Sequence, residues 1–143
     1  MTDHAGSCHC GAVTFTYRSN APLTVRACQC SFCRKHGSRN VSDPAGDAEI
    51  TSSVPLTRYR FGLGITDFLI CPICGSYVAA AMQDGEHWLA TFNLNCFDDP
   101  HPGLRAEPIV YDAEDSGDRI ERRRLRWTPT HITEPEPASA ANA

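Results

Sequence analysis

The placement of cysteine constrains this chain more than any other feature. Seven of its eight cysteines fall in three short runs, Cys8-His9-Cys10, Cys28-Gln29-Cys30-Ser31-Phe32-Cys33 and Cys71-Pro72-Ile73-Cys74, with Cys96 alone. Thiols this close do not readily pair with one another as disulfides, because Cys28 and Cys30 point to opposite faces of an extended strand. Around a soft cation the same spacing is natural, since Cys-x-x-Cys is a bidentate turn and structural zinc takes four ligands. Cys8 and Cys10 with Cys71 and Cys74 complete such a set, leaving no coordination position for a substrate. That site closes a loop of about sixty residues and contributes folding free energy of order 10 kcal/mol. Cys28, Cys30 and Cys33 then remain as a three-thiol set, one ligand short. A different partition, Cys28 and Cys30 with Cys71 and Cys74, separates Cys33 from its Cys-x-x-Cys partner. The second set is either closed by Cys96 or His36, and so structural, or open. His9, between two ligands on a strand, points away from the metal.

The rest of the composition narrows the class. A chain of 143 residues is one domain, and ten glycines with ten prolines imply short elements and many loops. No apolar run follows Met1, and no stretch of about 18 apolar residues occurs anywhere. A reduced, cytoplasmic metalloprotein therefore fits better than a secreted disulfide scaffold. The net charge of −4 argues against nucleic acid as a partner, and the hydropathy argues against a membrane. A homo-oligomer is compatible with everything in the sequence.

Along the chain, residues 1–6 read as a mobile leader. Val13, Phe15 and Tyr17 alternate with polar neighbours and predict a half-buried strand; residues 23–27 predict a second that delivers the central thiols. Residues 38–47 are rich in turn formers and predict a loop. Strands are expected over 57–61 and 66–70, the second running into the Cys71–Cys74 knuckle. Asp84-Gly85 between two apolar runs predicts a hairpin over 77–82 and 87–92. Residues 93–103 read as loop. The acidic run 112–118 followed by the basic run 119–126 predicts a solvated, self-compensating segment or short helix. The zinc-bearing domain is expected to span 7–127, with a disordered tail over 128–143.

Three motifs together carry a resemblance. Cys8-His9-Cys10-Gly11-Ala12-Val13, Cys28-Gln29-Cys30-Ser31-Phe32-Cys33-Arg34-Lys35 and Cys71-Pro72-Ile73-Cys74-Gly75-Ser76 resemble, in order and separation, the glutathione-dependent formaldehyde-activating enzyme family, or CENP-V/GFA domain. The resemblance implies a mainly β, Mss4-like fold of short antiparallel sheets organised around two zinc ions. It implies a structural zinc on Cys8, Cys10, Cys71 and Cys74, and a catalytic one on Cys28, Cys30 and Cys33 with an open position. It also implies carbon–sulfur lyase chemistry like that of S-(hydroxymethyl)glutathione synthase, joining a small thiol to an aldehyde such as formaldehyde. The sequence departs from the family at His36-Gly37, where serine and glycine are common, and in a less apolar loop over 38–44.

On the residues themselves, Arg34, Lys35 and Arg39 are candidate partners for the carboxylates of such a thiol. His36 is the candidate proton shuttle, its ordinary pKa lying near neutrality. The same cations equally suit neutralisation of a negative zinc–thiolate cluster. Two other classes fit the motifs: a non-catalytic zinc scaffold or interaction module, and a thiol redox sensor that releases zinc on oxidation.

Overall fold

The computed structural model describes residues 1–137. Its backbone is mainly β, and the strands join one mixed sheet. At the N-terminus β1 (Thr2–Ser7) pairs antiparallel with β2 (Val13–Ser19), which pairs antiparallel with β5 (Asp47–Ser52). The expected mobile leader is therefore a strand. Its sequence is too polar to announce itself, and it is held by six ladder positions along β2 and by a bridge from Gly6 to Phe97. A Cβ at Gly6 would fall 2.2 Å from the Phe15 ring, so the close approach needs glycine.

The segment expected to be strand 23–27 shortens to β3 (Arg26–Cys28) and leads through Cys30 into α1 (Ser31–His36). β4 (Asn40–Val41) lies inside the predicted loop, pairing at Asn40 with Arg26 of β3. β6 (Thr57–Tyr59), β7 (Asp67–Ile70), β8 (Tyr77–Asp84) and β9 (His87–Asn93) form the expected meander, with Gly85 at φ +64° in the β8–β9 turn. One 3₁₀ turn, Leu94–Cys96, begins the following loop, and β10 (Glu107–Ile109) returns parallel to β3.

The C-terminal quarter departs most from expectation. Asp112–Asp115 leads into α2 (Ser116–Arg126), whose start is fixed by a capping box between Asp115 and Asp118. Then β11 (Thr128–Thr133) occupies the middle of the sheet, where a disordered tail was expected. Thr128–Thr130 pairs antiparallel with β9, and Thr130–Thr133 pairs parallel with β5. The strand Thr-Pro-Thr-His-Ile-Thr has no apolar periodicity and carries a proline, both of which count against a strand. Its neighbours impose the conformation: one edge of β9 is shared by β11 and β4 while β8 takes the other. Glu134 continues the anchoring, accepting from the Leu56 backbone N–H (2.8 Å) and from Arg58 Nη2 (2.8 Å). Residues 138–143, also part of the expected tail, lie outside the described residues.

The strands β7–β9 are buried on both faces, which is why β8 reads as a continuous apolar run rather than an alternation. Leu69, Ala79, Ala81, Ala90 and Phe92 face the larger core, built on Phe15, Tyr17 and Ile50. Phe68, Ala80, Met82 and Leu89 face a second, smaller core with Phe32, Tyr77 and Trp127. A register shift between Leu69 and Ile70 re-aims this end of the ladder beside Tyr77. No helix among the described residues is long and apolar enough to cross a membrane.

Candidate metal centres and the cavity between them and the C-terminal helix

The two cores each carry a thiol cluster. Cys8 and Cys71 are buried in the larger core; Cys10 and Cys74 reach them from its rim. The Cys71–Cys74 knuckle turns at Gly75, whose φ of +80° lets its N–H bond back to the Cys71 carbonyl at 2.9 Å. Sγ atoms stand 3.7 Å apart for Cys8–Cys10 and 3.7 Å for Cys10–Cys71. Tetrahedral zinc with bonds of about 2.3 Å sets its sulfurs about 3.8 Å apart, so the four thiols fit that ion closely. Ser76 Oγ lies 3.3 Å from Cys74 Sγ and holds its thiol down to about 5, readying it as a ligand.

The second cluster is local. Cys28 ends β3, Cys30 is the N-cap of α1, and Cys33 lies in its first turn. The Cys33 backbone N–H donates to Cys30 Sγ at 3.4 Å. Hydrogen bonds from the Cys28 and Cys33 thiols, with the amides at the helix start, hold Cys30 well below the usual thiol range. Cys28 and Cys33 are pushed up, because each gives its hydrogen to the neighbouring sulfur. All three sulfurs lie within 4.8 Å of one another. That donor set also fits zinc, with three sulfurs where four would close the site. Among the described residues, no further cysteine, histidine or carboxylate joins this group.

Cys96 was one of the two candidates to close it. Its Sγ instead donates to the Tyr77 carbonyl at 3.4 Å, and its thiol is pushed up to about 11 by burial and then by Cys8 and Cys74. It sits on the side of the four-thiol cluster and belongs to neither group. His36, the other, is exposed; its Nδ1 lies 3.0 Å from the Phe32 carbonyl and its ring packs 4.2 Å from the Phe32 ring.

The three-thiol cluster opens on a cavity of about 180 Å³. Phe61, Phe68, Tyr77 and Trp127 wall it with aromatic surface, and Asn40, Thr66 and Thr91 supply neutral polar groups. Its charged wall is Arg26 on β3 with Arg119, Arg122 and Arg123 on α2, next to Tyr111 and Asp112. Arg34, Lys35, His36 and Arg39, singled out in the sequence, do not line it. Arg34 and Lys35 are exposed, and Arg34 Nε donates to the Gln29 carbonyl at 3.0 Å. The Arg39 guanidinium is engaged elsewhere: it donates to Asn95 Oδ1 (2.8 Å) and to the carbonyls of Pro100, His101 and Leu104. The cavity's own arginines were hidden in a segment that reads as a solvated charge run. Part of it is one: Arg119 and Arg122 share Glu114, and Arg124 pairs with Asp84. An i, i+3, i+4 pattern over Arg119, Ile120, Arg123 and Trp127 was the signal that one face turns inward.

A mainly β protein with one closed thiol set and one three-thiol set facing a cavity defines a class, and comparison with known proteins agrees. The chain belongs to the family described as glutathione-dependent formaldehyde-activating enzyme, which it matches over residues 3–112. It is also similar to the crystal structure of a Rhodobacter sphaeroides protein solved by structural genomics, with 27% identity and a TM-score of 0.59. That likeness covers 75% of this chain and 99% of the other. The family match ends before α2 and β11.

Proposed function

We propose that the protein is a zinc-dependent carbon–sulfur lyase that adds a small thiol to an aldehyde such as formaldehyde, or reverses that addition. Two zinc ions per chain would be held, one by Cys8, Cys10, Cys71 and Cys74 and one by Cys28, Cys30 and Cys33. The observation that carries the reading is the contrast in donor number, with the incomplete set placed on the cavity. When bound, zinc at the second site supplies affinity for a further sulfur ligand and so favours the thiolate form of a thiol that is otherwise only a few per cent ionised at neutral pH.

The chain's own residues provide the rest. Phe61, Phe68 and Trp127 exclude water from the space where sulfur and carbonyl carbon approach. In the addition the thiol S–H loses its proton, the sulfur pair forms the S–C bond, the C=O π pair moves to oxygen, and that oxygen takes up a proton. Tyr77 lines the cavity and is the group we assign to hold a proton beside that oxygen. Burial, then the neighbouring thiol cluster, pushes its phenol well above the usual range, so it stays a donor. The test is direct: ¹³C-formaldehyde with glutathione and other low-molecular-weight thiols, with S-hydroxymethyl adduct formation and breakdown followed by NMR exchange. Wild-type protein should accelerate exchange, and Cys30→Ser should abolish the acceleration while remaining folded. No acceleration with any thiol by zinc-replete protein would refute the lyase reading.

A further inference from the structure

Arg123 is a buried cation without a counter-ion. It is 6% exposed, yet among the described residues it forms no ion pair. Its Nη1 donates to Thr66 Oγ1 at 2.5 Å, its guanidinium lies 4.3 Å from the Trp127 ring centroid, and its Nε has no partner at all. Burial, then Arg122 and Arg119, press its pKa down to about 9, the mark of a charge held where its surroundings oppose it. Of the neighbouring arginines, Arg119 and Arg122 pair with Glu114, while Arg26 donates to Ser42 Oγ and forms no ion pair among the described residues. Asn40, 5% exposed, adds a second orphan on the same cavity, its Oδ1 being buried without a partner. Arg119 Nε, also without a hydrogen-bond partner, is a third; buried polar groups in folded proteins are nearly always satisfied, so three orphans lining one cavity mark a place a ligand completes.

We propose that Arg123 is the specificity-determining residue of a carboxylate subsite facing the three-thiol cluster, so that the thiol accepted here carries a carboxylate and Asn40 accepts a hydrogen from its N–H or O–H. Of the two guanidiniums on this largely aromatic cavity that have no ion pair, Arg26 and Arg123, the second is the more deeply buried and the one with an unpartnered N–H, and that planar edge matches a carboxylate. The inference rests on the thiol–aldehyde reading of the cavity, and it places substrate choice on α2, beyond the segment that matches the family.

The experiment is calorimetric titration of the zinc-loaded full chain with mercaptoacetate and with 2-mercaptoethanol, its uncharged counterpart. Wild-type protein should prefer mercaptoacetate by about tenfold or more, Arg123→Gln should bring the two within about twofold, and Arg123→Lys should keep part of the preference. Acetate, which has no sulfur, should compete with mercaptoacetate, and neutral acetamide should not; that comparison needs no variant. Equal binding of both thiols by wild type, or an undiminished preference in Arg123→Gln, overturns the proposal. So does loss of second-site zinc in Arg123→Gln with both thiols weakened alike, which would make the arginine a partner of the metal centre. Inorganic phosphate displacing mercaptoacetate better than acetate does overturns the carboxylate assignment. Acetate competition without any thiol–aldehyde turnover would remove the lyase reading and leave the subsite. Turnover without a carboxylate preference would do the reverse.

Discussion

The two thiol clusters use the same residue type to opposite ends. Cys8 and Cys10 meet Cys71 and Cys74 across 61 positions of sequence, at the junction of a strand pair and a knuckle, and two of the four are buried in the larger core. Cys28, Cys30 and Cys33 come from a strand end and one helical turn, within six residues of sequence. A long-range site fixes topology, because closing it orders everything between its ligands. A local site fixes little beyond itself and is free to keep a position for chemistry. If both sets hold metal as proposed, ligand number and sequence separation together would sort the structural site from the reactive one.

The largest effect should come from breaking the long-range site. Cys71→Ser removes a fully buried thiol of the four-thiol set and should abolish the cooperative folded state, a loss of several kcal/mol at least; thermal melting and metal content per chain check it, and a melting temperature near wild type would contradict the division.

Next is Arg39, which ties the end of α1 to the loop after β9 through four hydrogen bonds. Arg39→Ala should cost about 2–4 kcal/mol in urea unfolding while leaving thiol affinity per folded molecule unchanged. Loss of thiol binding without loss of stability would return Arg39 to the second site.

A third test concerns the strand that carries the knuckle. Asp67, on β7, has a side chain only 4% exposed and bridges Arg58 and Arg60. Burial opposes its charge, but the guanidiniums of Arg60 and Arg58 outweigh that and hold its carboxyl below the ordinary value. A depressed folded-state pKa means the stabilisation is complete above the unfolded carboxylate pKa of about 3.9 and disappears as pH falls through the lower folded value. Asp67→Asn should therefore lower stability at pH 7 by about 1–3 kcal/mol and flatten its dependence on pH below about 4. An unchanged acid limb in urea titrations across that range would show that other carboxylates carry it.

The smallest stability effect should follow Cys30→Ser. Serine is itself a good N-cap, so α1 keeps its start and the metal-free fold should shift by less than about 1 kcal/mol. Second-site metal should nonetheless fall, as read by X-ray absorption and metal analysis. Equal destabilisation by Cys30→Ser and Cys71→Ser would erase the contrast between the sites.

By itself the sequence determined what is local or written in residue type. The partition of the thiols into four and three, the β8–β9 hairpin at Asp84-Gly85, the strand over Val13–Tyr17 and the family resemblance all follow from spacing within short windows. Tertiary structure alone decided the strands at the two ends, because Thr2–Ser7 and Thr128–Thr133 lack apolar alternation and become strands only through the hydrogen-bonding edges of β2, β5 and β9. It also decided which cations face the second cluster. Arg39 and Arg34 lie close to the thiols in sequence, but backbone carbonyls claim them, while Arg123 lies ninety positions beyond Cys33 and is turned into the cavity by the packing of α2. Proximity along the chain predicts ligands held by one turn; it does not predict which distant charge a fold will bury beside them.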